Sequence, residues 1–231
     1  MKNTDFLNES IISHRGNYDN DKVPENSIKA FSDAIKNKYV IELDIHLTKD
    51  NRVVVFHDDI LDRMTNKKGK IKDYYYNNLK NIKLLDTSYT IPLLSDVLKL
   101  VNGKVPLLIE LKSDTKGFKL EKEVYKLLLN YNGKYAIQSF NPLTVLYFKY
   151  KNKNIVRGLL ISKKNIRLSK LFIPIIRPDF LSVNKELYKT KIVNNTMGKI
   201  PIYAWSIDSI DEYKKYKDKY TNLICNMYKI K

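Results

Sequence analysis

Short apolar, β-branched runs alternate with amphipathic stretches along the whole chain, and that alternation leaves few folds open. The runs are Ser10–Ser13, Tyr39–Thr48, Arg52–His57, Val105–Leu111, Tyr135–Ser139, Ile155–Ile161, Asp179–Val183, Ile200–Ile207 and Asn222–Asn226. Their length and near-continuous hydrophobicity suit strands covered on both faces, as in a parallel sheet. Between most of them lie helix-like stretches. Leu120, Val124, Leu127 and Leu128 keep the i, i+4, i+7, i+8 spacing, and Ile28, Phe31 and Ile35 do much the same after Pro24-Glu25-Asn26-Ser27, where a proline and an acid suit a helix start. Leu143–Tyr150, Lys185–Asn195 and Asp208–Tyr220 continue the alternation.

With Arg52–His57 counted as an extension of the second run, eight β units separated by helices predict an α/β fold, a TIM (β/α)8 barrel. A doubly wound open sheet has the same periodicity and competes with it. The stretch 58–90 lacks a clear strand and is expected to be an insertion over one barrel mouth. With no repeats and no linker rich in Gly, Ser or Pro, residues 1–231 are expected to form one domain. The chain stops a few residues after the eighth run, so the last helix is expected to be truncated, which would expose an apolar flank and leave room for a homodimer.

Composition excludes several classes. No run approaches the roughly 18 apolar residues that span a bilayer, and the first residues do not read as a signal peptide, so a cytoplasmic chain is expected. The single cysteine, Cys225, rules out an intrachain disulfide and a thiolate zinc cage, and its apolar neighbours suggest an inert, buried thiol. The net charge of +17 would suit nucleic acid or anionic membrane if it were concentrated on one face. The lysines instead run along the whole chain beside Asn, Ile and Tyr, and no recognition motif accompanies them, so nucleic acid is not an expected partner.

Ionisable residues interrupt the runs near their C-terminal ends, where a barrel keeps its chemistry. His14, Arg15 and Gly16 follow the first run; Glu42 and Asp44, two apart, share a face of the second; His57 ends its extension; Glu110 and Lys112 end the next. Glu42, Asp44 and Glu110 suit a hard divalent cation, Mg²⁺ or Ca²⁺, because such ions choose oxygen ligands. His14 and His57 suit a pair of general acid and base, with the roles open between them. His46, two beyond Asp44, is a weaker third candidate. Arg15 and Lys112 would set two cations beside an anionic phosphoryl group.

These residues carry a resemblance. Ser13-His14-Arg15-Gly16, Pro24-Glu25-Asn26-Ser27, Glu42-Leu43-Asp44, Val54-Val55-Phe56-His57-Asp58 and Leu61-Asp62-Arg63-Met64-Thr65, then Ile91-Pro92-Leu93-Leu94, Ile109-Glu110-Leu111-Lys112, Gln138-Ser139-Phe140 and Ala204-Trp205-Ser206, together resemble the glycerophosphodiester phosphodiesterase family over almost the whole chain. The resemblance implies a TIM barrel that hydrolyses glycerophosphodiesters, small molecules, to glycerol 3-phosphate and an alcohol with a divalent metal. It implies His14 and His57 as the catalytic pair, Glu42, Asp44 and Glu110 as metal ligands, and Arg15, Lys112 and Trp205 as substrate contacts. Ile224-Cys225-Asn226 stands where the family usually has Ile-Thr-Asp. A lysophospholipid hydrolase of phospholipase D type on the same barrel, and a non-catalytic basic barrel for anionic lipid or nucleic acid, remain the alternatives. In 58–90, Tyr74–Tyr76 and the lysines at 67, 68, 70 and 72 could meet a membrane peripherally, against the plainer reading that the tyrosines pack the insertion onto the barrel.

Overall fold

A computed structural model describes residues 2–114 and 116–230. The strands are β1 (Ile12–Ser13), β2 (Val40–Leu47), β3 (Val53–Val55), β4 (Leu107–Leu111), β5 (Tyr135–Ser139), β6 (Val156–Ile161), β7 (Phe180–Asn184), β8 (Ile202–Ile207) and β9 (Asn222–Cys225). All but β3 pair in parallel in the order β1-β2-β4-β5-β6-β7-β8-β9, and β1 closes onto β9 with Ile12 opposite Ile224 and Ser13 opposite Cys225. The sheet is therefore a closed eight-stranded parallel barrel, and the open-sheet alternative is excluded. Helices α1 (Ile28–Lys36), α2 (Tyr76–Leu79), α3 (Leu94–Val101), α4 (Lys119–Leu128), α5 (Pro142–Lys151), α6 (Ile166–Ile176), α7 (Lys191–Asn194) and α8 (Ile210–Tyr216) follow in the connections.

Strand alternation sorts the side chains. Ile41, Leu43 and Ile45 of β2 and Leu107, Ile109 and Leu111 of β4 point outward into a core shared with α1, α3 and α4. The inward set begins with an apolar layer, Ile12, Val40, Leu108, Ala136, Val156, Phe180, Tyr203 and Ile224, closed from below by Leu7. Two residues further along each strand, on the same inward face, stand His14, Glu42, Glu110, Gln138, Gly158, Ser182, Trp205 and Asn226. Gly158 is required there, since a Cβ would lie 2.0 Å from the Phe180 ring. The barrel is thus greasy at its floor and polar at the C-terminal ends of its strands.

Two expectations need correction. Arg52–His57 does not extend the second strand: β3 turns back and pairs with β2 antiparallel, Leu47 opposite Val53. Lys185–Asn195 is not one helix but a 3₁₀ turn, Lys185–Leu187, followed by the single turn of α7. The insertion after β3 has its own apolar cluster of Phe56, Leu61, Met64, Ile71, Leu79, Ile82 and Leu84, against which Tyr74 and Tyr76 pack while Tyr75 stays exposed. After β9 comes a 3₁₀ turn, Met227–Lys229. No helix among the described residues is long and apolar enough to cross a membrane.

Candidate active site

The turn after β1 sets the first part of the site. Arg15 takes φ 55° and Gly16 φ 82°, and a Cβ on Gly16 would lie 2.9 Å from Ala30, so glycine alone lets the turn rest on α1. That turn aims the Arg15 backbone N–H at Glu42 Oε2, 3.0 Å away, and the His14 ring at the same carboxylate, with Nε2 at 3.9 Å. Ser27 caps α1 by accepting from the Ala30 N–H, whereas Glu25 does not serve the helix. Its carboxylate is buried between Arg15 and Arg63, each at 2.7 Å. Burial opposes its ionisation, but the two guanidiniums hold it down at a pKa of about 2. Asn26, next in the chain, donates to Asp44 Oδ2 at 3.0 Å.

Glu42, Asp44 and Glu110 come together as expected, each buried, with one oxygen from each lying within 4.8 Å of the others. Lys112 Nζ makes ion-pair contact with Asp44 Oδ1 at 3.0 Å and Glu110 Oε1 at 2.6 Å, yet neither oxygen is engaged in an aligned hydrogen bond. Burial first, then Asp44 and Glu110, pushes the Glu42 carboxyl well above its ordinary value. Burial likewise raises Glu110 to about 7 despite Lys112. Asp44 goes the other way: against the pull of burial, Lys112, His57 and Arg15 hold it well below the usual carboxylate range. Three crowded carboxylates, of which Glu42 and Glu110 resist ionisation beside an ionised Asp44, offer a cluster of oxygen ligands that fits a hard divalent cation.

The two histidines have unlike partners. Asn226 donates through Nδ2 to the Asp208 carboxylate at 2.5 Å, which can only accept, so Asn226 Oδ1 must face His14 Nδ1 at 2.8 Å and the Tyr18 hydroxyl at 2.9 Å. His14 therefore carries its proton on Nδ1 and turns a bare Nε2 toward Glu42. Burial, then Arg15, lowers its pKa to about 3. His57 Nδ1 instead faces a carboxylate, Asp58 Oδ1, at 2.5 Å, and Arg63 holds that carboxylate from its other side. Burial lowers His57 too, with Asp44 opposing. His46 does not join them: it is buried and its Nε2 donates to the His57 carbonyl at 3.1 Å, which fixes the end of the hairpin. Trp205 packs edge-to-face on Phe140 with centroids 5.6 Å apart, and its indole N–H is buried without a hydrogen-bond partner.

A cavity of about 590 Å³ opens beside Glu110 and Lys112, bordered by His46, Ser139 and Phe140 and, from the insertion, Lys70 and Lys72. Among the expected residues, the structure thus brings His14, Arg15, Glu42, Asp44, Glu110 and Lys112 into direct contact or ion-pair range, with His57 within their electrostatic reach. Sequence reasoning missed the supporting set, Tyr18, Asn26, Asp58, Arg63 and Asp208. It also read Glu25 as a helix-start acid and Asn226 only as a departure. Cys225 is fully buried, and burial pushes its thiol up to about 12.

Comparison with known proteins bears on this geometry. Residues 14–221 match the model of the glycerophosphoryl diester phosphodiesterase family. YhdW of Bacillus subtilis is 33% identical over 214 residues, 86% of each chain. The glycerophosphodiester phosphodiesterase of Caldanaerobacter subterraneus is 37% identical over 164 residues, 65% of each chain. Among solved structures, an Oleispira antarctica phosphodiesterase in complex with the product sn-glycerol-3-phosphate superposes with a TM-score of 0.84 at 20% identity, covering 94% of this chain and 93% of that one.

Proposed function

The chain belongs to the glycerophosphoryl diester phosphodiesterase family, and from that membership we propose that it hydrolyses glycerophosphodiesters to glycerol 3-phosphate and an alcohol, with one divalent cation, Mg²⁺ or Ca²⁺. The observation that carries the reading is the buried triad Glu42, Asp44 and Glu110 facing two histidines with different partners. The triad would hold the cation, which as a Lewis acid supplies charge neutralisation at the phosphoryl oxygens. Residues 1–231 act as one catalytic domain.

The chain's own groups divide the remaining work. Arg15, braced by Glu25 and 3.5 Å from Asp44, and Lys112, shared by Asp44 and Glu110, bind the phosphate oxygens. His14 Nε2 takes the proton from the attacking water, because Nδ1 is occupied by a neutral carboxamide and burial keeps the ring unprotonated. His57 gives a proton to the departing alkoxide, since the Asp58 carboxylate at Nδ1 supports its cationic form. As the new P–O bond forms, the bond to the alcohol oxygen breaks. Trp205 lines the glycerol side, and the 590 Å³ cavity takes the alcohol.

The test is a panel of glycerophosphodiesters with different alcohols, plus lysophospholipids, read out for glycerol 3-phosphate. Glycerol 3-phosphate from the soluble diesters is expected. Release of an acylated glycerol phosphate instead would move the assignment to a lysophospholipid hydrolase, and no release at all would leave a non-catalytic barrel.

A further inference from the structure

The lysines are spread along the chain, but the acids are not. Of the 25 acidic residues none lies between Val124 and Pro178, a segment that carries eleven lysines and arginines and forms the end of α4, then β5, α5, β6 and α6. Exposed large apolar side chains gather on the same segment. Six of the eleven among the described residues are there: Leu129, Leu143, Tyr150, Leu168, Leu171 and Ile175.

On α6 the arrangement is amphipathic in an unusual sense. Ser169 and Ile176 are buried and Phe172 and Ile173 pack onto the barrel, as a barrel helix requires. Leu168, Leu171 and Ile175, spaced by three and four residues, form a second apolar stripe facing solvent, with exposures of 47%, 70% and 54%. Lys164, Arg167, Lys170 and Arg177 surround it, all exposed and none in an ion pair among the described residues. Its neighbour α5 continues the surface: Lys149 donates to the Ile175 carbonyl at 2.6 Å, Tyr150 is 75% exposed, and an apolar groove of about 350 Å³ lies between Phe118, Leu143, Tyr147 and Tyr150.

An apolar stripe framed only by cations matches an anionic lipid surface, where the stripe enters the acyl boundary and the cations meet headgroups. A second copy of the chain would face this surface with like charge, and nucleic acid would leave the stripe unused. We propose that the α5–α6 flank docks the protein on anionic membranes. The placement suits the site, because α6 runs back from the C-terminal end of β6, so Lys163, Lys164 and the first turns of α5 and α6 stand at the barrel end that carries Glu110. The lysines and tyrosines of the insertion are not needed for it, and the proposal stands apart from the catalytic reading, since its readout is lipid binding.

The experiment is co-sedimentation of the full chain with vesicles of phosphatidylcholine alone or mixed equally with phosphatidylglycerol. Binding to the mixed vesicles, weakened by salt, is expected. Arg167→Gln with Lys170→Gln should weaken it about 25-fold, at roughly fivefold per cation near such a surface. Leu168→Ser, Leu171→Ser and Ile175→Ser combined should weaken it about tenfold or more. Both variants change exposed side chains and should turn over soluble glycerophosphodiesters like the unaltered chain. The proposal is overturned if the mixed vesicles are not bound at low salt, if binding survives both variants, or if only replacement of the lysines at 67, 68, 70 and 72 removes it. It is also overturned if the stripe variant merely converts a dimer to a monomer while vesicle binding is retained.

Discussion

Replacing Glu110 with Gln should make the cation-free protein more stable at alkaline pH while abolishing its activity. Glu110 is raised from an ordinary 4.5 to about 7 by burial among neighbouring acids. Between those values the folded chain binds a proton that the unfolded chain does not, so the folded state loses stability as pH rises through the window, and the loss is complete above about 7. At 1.36 kcal/mol per pKa unit the total is about 3 kcal/mol. Gln keeps the shape and cannot ionise, so this loss disappears. The three histidines are shifted downward and pull the opposite way, but they are common to both chains and cancel in the difference. Thermal melts in chelator should therefore show Glu110→Gln gaining about 6 °C on the unaltered chain between pH 5 and pH 8, for an unfolding entropy typical of this length. Saturating Mg²⁺ or Ca²⁺ should raise the melting temperature of the unaltered chain and close the gap. A difference that does not change with pH, or an equal cation effect on both chains, would refute the reasoning.

His14→Ala and His57→Ala should each lower kcat by about 10² to 10⁴-fold with smaller effects on KM, measured by initial rates. Asn226→Ala should release the tautomer: ¹⁵N spectra, simple with three histidines in the chain, should show the His14 proton shared between Nδ1 and Nε2, and kcat should fall with circular dichroism unchanged. Glu25→Ala leaves Arg15 and Arg63 facing a void, so KM should rise and stability drop by about 3 kcal/mol or more, the usual cost of breaking a buried pair; denaturant titration and initial rates check both.

Strand positions and the inward acids were legible because the two signals coincide: a carboxylate two residues from another in an apolar run has one structural solution and a costly one at that. Closure was not legible, since parallel strands read alike in open and closed sheets; it rests on Ile12 meeting Ile224. The return of β3 was hidden because Val53–Val55 is as apolar as a barrel strand, and only the Asp50-Asn51 turn before it hints at a hairpin. Helix α6 escaped detection because it is apolar toward solvent as well as toward the barrel, which blurs its period and is itself the basis of the proposed docking surface. Glu25, Asp58 and Asp208 lie outside the strands, so nothing in local pattern distinguishes them from surface acids. Among their partners, Arg63, Arg15 and Asn226 come from 5, 10, 18 or 38 residues away. The even run of lysines likewise suggested a diffuse charge, because concentration came from where the acids are missing.

The most direct test of the catalytic account is ³¹P NMR of a soluble glycerophosphodiester incubated with the purified chain, first with Mg²⁺ or Ca²⁺ and then with excess chelator. The account predicts that the diester signal is replaced by the monoester signal of glycerol 3-phosphate with a cation present, that conversion stops on chelation, and that Glu42→Gln or Glu110→Gln abolishes or severely slows it. Undiminished conversion in chelator, or an unchanged diester signal with either cation, would contradict it.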